Sequence, residues 1–168
     1  MRPLKIELDN FGPFKHETVD FERFKETPLF LITGKTGSGK TTIFDAMCYA
    51  LFNETSGKKR AATQMRSDFA TTKEETCVKF TFEHQGKIYQ IERRPQQTLV
   101  GRGKKEVKRA AKVALTYEGQ AGKTQVITKI PEAKRFIDEL LKLDADQFTK
   151  VILLPQGQFR NFLAADSS

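Results

Sequence analysis

Apolar and polar residues alternate from Leu4 to Phe11, with Leu4, Ile6 and Leu8 on one face and Lys5, Glu7 and Asp9 on the other. That is the period of a half-buried strand. Gly12-Pro13 marks a turn, and Glu17 to Phe21, with Val19 and Phe21 on one side, reads as a partner strand. The rhythm then changes. Pro28-Leu29-Phe30-Leu31-Ile32-Thr33 is nearly unbroken in its apolar character, which predicts a strand buried on both faces. Ile43 to Phe52 has helical length and good helix formers, whereas Asn53 to Lys73 is polar without a period and reads as mostly loop. From Thr76, Val78, Phe80 and Phe82 alternate with Cys77, Lys79, Thr81 and Glu83, Gln85-Gly86 turns the chain, and Lys87 to Arg94 returns as the second arm of a hairpin. Lys112 to Tyr117 alternates again and Gly119 to Gly122 turns, so the middle of the chain is antiparallel β. Pro131 suits the first turn of a helix, where a missing N–H leaves no bond unmade. Ala133, Ile137, Leu140 and Leu141 follow as an apolar stripe, with Arg135–Glu139 and Asp138–Lys142 at i,i+4 spacing. Asp146 to Leu154 is a second helix or a helix–strand junction, and Phe159, Phe162 and Leu163 continue at helical spacing beyond it.

Between the apolar run and the first helix lies GKTGSGKTT: Gly34, Lys35, Thr36, Gly37, Ser38, Gly39, Lys40, Thr41 and Thr42. Strand, glycine loop, helix is the setting of a phosphate-binding P-loop. Glycines let the backbone bring N–H groups close to an anion, and the new helix adds its free N–H groups and the positive end of its dipole. Lys40 stands where an ammonium reaches the outer phosphates, the Thr41 hydroxyl is placed to ligate Mg²⁺, and Thr42 supports it. The loop predicts a nucleoside triphosphate site that uses ATP and Mg²⁺ and has Lys40 as a catalytic residue.

Composition narrows the partners. The 168 residues suffice for one domain, and 29 Lys plus Arg against 21 Asp plus Glu give a net charge of +8, which favours polyanions. The cations cluster in two tracts, Lys58-Lys59-Arg60 and Arg102, Lys104, Lys105, Lys108 and Arg109. Each is either a solvated surface or a DNA contact made through phosphates; the stretch Pro95 to Arg109 has no apolar period and is a hairpin tip or a phosphate-contacting loop. Cys48 and Cys77 fall in a helix and a strand, which suggests reduced packing residues in a cytosolic protein. His16 and His84 have no companions at ligand spacing. There is no signal-like core at the N-terminus and no apolar run long enough to span a membrane.

No apolar strand ends in the Asp-Glu pair that would hold a metal-bound water and a base beside the terminal phosphate; Asp138-Glu139 lies in the amphipathic helix instead. Half of a hydrolytic site is missing from this sequence.

The stretches LKIELDNFGPF, GKTGSGKTTIFDAMCYALF, MRSDFA from Met65 to Ala70 and DQFTKVILLPQGQFRNFLAADSS together resemble the N-terminal end of the bacterial SbcC family. These are the ATPase subunits of a DNA nuclease complex, related to break-repair and chromosome-structure ATPases. The resemblance spans essentially the whole chain and implies an α/β P-loop fold: residues 1–168 as the N-terminal lobe of an ABC-type ATPase head, with mixed and antiparallel sheet plus the P-loop helix, ending where a coiled coil begins. It implies that a C-terminal lobe of the same protein carries the missing acidic and signature motifs, that ATP is sandwiched between two heads, and that engagement gates a partner nuclease, SbcD, on double-stranded DNA ends. It places the protein in the bacterial cytoplasm with the nucleoid. It also assigns Gln156 as a catalytic and metal-sensing glutamine, where the residues alone read equally as a solvated turn beside Gly157. Some repair ATPases have Asn-Phe-Arg-Ser after the first strand; here Asn10-Phe11-Gly12-Pro13 lacks that arginine. Two other readings stay open: a P-loop small-molecule kinase, and a DNA-binding module that uses nucleotide only structurally.

Overall fold

Alternation along the first strand, β1 (Arg2–Phe11), sends Leu4, Ile6 and Leu8 into the core and leaves the polar residues between them on the opposite face. The computed structural model describes residues 1–24, 31–56, 62–100 and 105–151. Within them β1 pairs on one side with β2 (Phe14–Asp20) and on the other with β3 (Cys77–His84), and β3 forms the expected hairpin with β4 (Lys87–Arg94). A short hairpin of β5 (Gln97–Val100) and β6 (Glu106–Arg109) follows, then β7 (Lys112–Glu118) and β8 (Thr124–Ile127). The main sheet has the order β2-β1-β3-β4-β7-β8, and every described pair is antiparallel.

Register lines up the inward residues across the sheet. Ile6, Phe80, Ile91 and Leu115 form one row, Leu8, Val78, Arg93 and Val113 the next. Against this face packs α1 (Lys40–Phe52), in which Thr42, Ile43 and every residue from Asp45 to Phe52 are buried. A helix apolar on nearly every side needs cover on nearly every side. The sheet covers one flank, Phe11 stacking on Tyr49 at 5.9 Å, and α2 (Ile130–Leu141) and α3 (Ala145–Val151) cover the other, Phe148 meeting Phe52 edge-on at 5.5 Å. Tyr117 and Phe136, 4.6 Å apart, fasten α2 to β7.

Three details depart from the sequence reading. Leu31 to Thr33, the described part of the expected buried strand, pair with no described strand, and Leu31 is 85% exposed. A doubly buried strand takes its hydrogen bonds and its cover from neighbours on both sides, and the described strands supply none here. On α2, Asp138 pairs with Lys134 at 2.8 Å rather than with Lys142, because Lys142 has left the helix as its left-handed C-cap. The stretch Pro95 to Arg109, aperiodic by sequence, contains the two strands of the β5–β6 hairpin.

Arg93 occupies an inward position that the pattern would give to an apolar residue, and it is 1% exposed. Its Nε donates to the Ala50 carbonyl at 2.5 Å and its Nη2 to the Leu51 carbonyl at 3.1 Å. These carbonyls belong to the last turn of α1, which has no helical partners for them, and a cation there also complements the helix dipole. Burial pulls the guanidinium down to about 10, so it remains charged at neutral pH. Arg93→Ala would remove two charged hydrogen bonds and open a cavity; the expected loss is roughly 3 kcal/mol, measured by urea denaturation.

Burial pushes the Cys48 thiol up to about 11 and Cys77 to about 12. At pH 8 the Cys48 thiolate is then about one part in a thousand, and the thiolate is the reactive form. Both thiols are expected to resist an aromatic disulfide reagent at pH 8 in the folded chain and to react at once in denaturant, with the accessible count read from absorbance.

Candidate nucleotide site

The loop before α1 closes on itself. Ser38 N–H donates to the Lys35 carbonyl at 3.2 Å, and Lys40 Nζ reaches back to the carbonyls of Gly34 and Lys35, both at 2.8 Å. Two of its glycines take the left-handed region, Gly37 at φ 83° and Gly39 at φ 85°. A Cβ on Gly37 would meet nothing within 4 Å, so its freedom serves the turn; on Gly39 it would lie 2.5 Å from Phe14 Cζ and 2.9 Å from Pro13 Cγ. Gly39 is the N-cap of α1, and no side chain caps that end. The first-turn N–H groups of α1 therefore have no side-chain acceptor at its N-cap, and the ammonium of Lys40 is held across the loop in front of them. An anion fits both.

Thr41 and Thr42 separate in role. Thr41 is exposed on the first turn of α1, while Thr42 is buried. A Cβ on Gly12, at φ 58°, would come within 2.4 Å of Thr42 Cγ2, so the Thr42 side chain packs against the β1–β2 turn. One exposed hydroxyl beside bound phosphates suits Mg²⁺, which keeps most of its ligands as water and phosphate oxygen. Among the described residues no group of three or more His, Cys, Asp or Glu side chains is arranged to hold a metal ion.

The residues that sequence reasoning missed form the wall of this loop. Gly12, Pro13 and Phe14 read as a turn and nothing more, yet they press on Gly39 and Thr42. No spacing announces this, because the two segments lie far apart along the chain and only the sheet brings the turn to the helix. Asp45, one turn into α1, reads as a plain helix residue; its Oδ1 accepts the Ser56 N–H at 3.0 Å and the Ser56 hydroxyl, folding the loop after α1 back on its first half.

The other predicted residues do not converge on the loop as one cluster. Lys105, Lys108 and Arg109 are exposed on or beside β6. Arg102, Lys104, the run Lys58, Lys59 and Arg60, and Gln156 lie outside the described residues. The polar face of the main sheet is no continuous cationic surface: Glu7 pairs with Lys5 at 3.0 Å and Lys79 at 3.7 Å, and Arg94 pairs with Glu75 and Glu92. Asp9 lies 2.6 Å from His16 and raises its imidazole above the ordinary value through hydrogen bond and charge. No described helix is long and apolar enough to cross a membrane.

A solved structure described as showing the structural biochemistry of ATP-driven dimerization and DNA stimulated activation of SMC ATPases aligns over all of both chains, with 18% identity and a TM-score of 0.48. Among curated proteins, the SbcC component of the SbcCD nuclease from Vibrio cholerae is 43% identical over 99% of the chain, and those from Staphylococcus saprophyticus and Lactococcus lactis are 42% and 43% identical over the same share. The chain spans only 16 to 17% of the length of these relatives. The family model described as AAA domain matches residues 5–168, the whole of the P-loop, the sheet and the three helices included, and the chain belongs to that AAA domain family.

Proposed function

We propose that residues 1–168 are the N-terminal lobe of an ABC-type ATPase head, binding Mg-ATP through the P-loop and completed by a C-terminal lobe from elsewhere in a longer protein. The observation that carries this reading is the closed glycine loop, with Lys40 folded across an uncapped helix start. The backbone from Gly34 to Thr41 would bind the phosphates, Lys40 would neutralise the outer ones, and Thr41 would offer its hydroxyl to Mg²⁺. Magnesium, when bound, offsets phosphate charge and fixes the orientation of the phosphates. Gln156 would take the sensing position in the assembled head.

The relatives' name, which makes them the SbcC part of the SbcCD nuclease, supports the wider assembly: a second copy of the head, the SbcD nuclease and double-stranded DNA ends as partners. Lys105, Lys108 and Arg109 would meet DNA phosphates, a contact that weakens with salt and reads no sequence. Exposed Leu31 fits the same picture, since a strand from the second lobe would cover the apolar run that ends there. A small-molecule kinase would continue from its loop through a parallel sheet, and the described strands are antiparallel throughout.

Titration calorimetry with Mg-ATP should show binding that weakens about 10- to 150-fold in Lys40→Ala, the equivalent of roughly 1.5–3 kcal/mol for a hydrogen bond to a charged group. Phosphate release should be negligible for the chain by itself and appear on mixing with the matching C-terminal lobe. Turnover by the lone chain on a small acceptor would overturn the reading in favour of a kinase.

A further inference from the structure

The segment Met65 to Ser67 holds two structures together, and its arginine does so without a charged partner. Arg66 Nη1 donates to Thr76 Oγ1 at 2.8 Å and to Gln97 Oε1 at 3.0 Å, while Nη2 donates to the carbonyls of Thr71 and Glu74, both at 2.8 Å. All four acceptors are neutral oxygens, so the planar fork of the guanidinium is being used for its geometry. Gln97, the first residue of β5 and itself buried, also accepts the Thr76 N–H at 2.7 Å and donates to the Thr76 carbonyl at 3.2 Å. At the far end of the strand, Val100 N–H donates to the Thr72 carbonyl at 2.8 Å. The basic β5–β6 hairpin is thus fastened at both ends of β5 to the loop that Arg66 organises.

The backbone of the same segment leads the other way. Phe11 bridges to Arg66, Gly12 N–H donates to the Met65 carbonyl at 2.7 Å, and Ser67 N–H donates to the Asn10 carbonyl at 2.9 Å. Gly12 then meets Thr42, and its neighbours Pro13 and Phe14 meet Gly39, with no room for a single added carbon at either contact. Close-packed contacts of this kind pass a displacement on instead of absorbing it.

We infer that Arg66 is a positioning residue that ties the β5–β6 hairpin to the wall of the nucleotide loop, so that occupancy of the loop is felt at the hairpin. The inference rests on the reading of Gly34 to Thr42 as a nucleotide site. A shift in the first turn of α1 moves the Gly12 turn, the Gly12 turn moves Met65 to Ser67, and the guanidinium carries that movement to Thr71, Glu74, Thr76 and Gln97. Lys105, Lys108 and Arg109 ride on the element that receives it.

The test is hydrogen–deuterium exchange read by mass spectrometry, on the 168-residue chain with and without Mg²⁺ and the slowly hydrolysed analogue ATPγS, together with its Kd by calorimetry. In the unmodified chain the analogue should slow exchange by about threefold or more in residues 71–76 and 97–100, beyond the P-loop itself. Arg66→Gln should bind the analogue with a Kd within about threefold of the unmodified chain, yet show no nucleotide-dependent change in either segment. A merely structural staple would alter exchange equally with and without nucleotide. Gln97→Leu, which keeps the ties of Arg66 to the 71–76 loop, should lose the change at 97–100 and retain it at 71–76, and it carries the test should Arg66→Gln not fold. Analogue binding with unchanged exchange in both segments of the unmodified chain would overturn the coupling and leave the nucleotide site standing, as would a response that survives in Arg66→Gln. Failure of the analogue to bind the unmodified chain would overturn the nucleotide reading itself, and this inference with it.

Discussion

Helix α1 has to bury almost its whole surface and still leave its first turn open, and much of the fold follows from that constraint. From Asp45 to Phe52 every side chain is covered, which demands a sheet on one flank and two helices on the other. A buried helix end exposes carbonyls that water cannot reach, and Arg93 meets two of them. At the opposite end nothing of the kind is supplied: Gly39 contributes no side chain, and the N–H groups stay available. The helix is therefore satisfied where it enters the core and unsatisfied where it faces the loop, which is the polarity an anion site requires.

The antiparallel sheet does more than cover α1. Its first turn, Gly12 to Phe14, reaches the P-loop, and the space there is filled to the point where Gly12 and Gly39 admit only hydrogen. Pairing of β1 with β3 sets the height of that turn, and the contacts of Met65 to Ser67 hold it from the other side. The glycine loop is thus shaped by three stretches far apart in sequence. Only one of them carries a recognisable motif.

Charge is distributed to match. The open face of the main sheet pairs its acids and bases with one another, so the excess of cations is not spent there. The described basic residues of the second tract, Lys105, Lys108 and Arg109, project from a hairpin outside the main sheet, whose own apolar anchor is the buried Leu99. A hairpin with so little core of its own depends on Gln97, Val100 and the Arg66 network for its position.

Short-range regularities made the hairpin of β3 and β4, the strand β1, the helices α1 and α2 and the P-loop pattern of Gly34 to Thr41 legible in the sequence, because alternation, helical period and glycine spacing are set by the backbone within a few residues. Where a position's role depends on what packs against it, the sequence was silent or misleading. Arg93 breaks the inward apolar pattern because a helix end far away along the chain needs donors. Thr42 has the spacing of a nucleotide residue and faces Gly12; Leu31 has the pattern of core and lies exposed, since a strand is only buried when neighbours flank it. The β5–β6 hairpin has too few apolar residues to show a period, and its place is decided by Arg66. The sequence by itself determined which segments are strands and helices and which loop has the makeup of a phosphate site; only the tertiary structure decided which residues wall that loop, because contacts between distant segments are set by the register of the sheet and not by any local pattern.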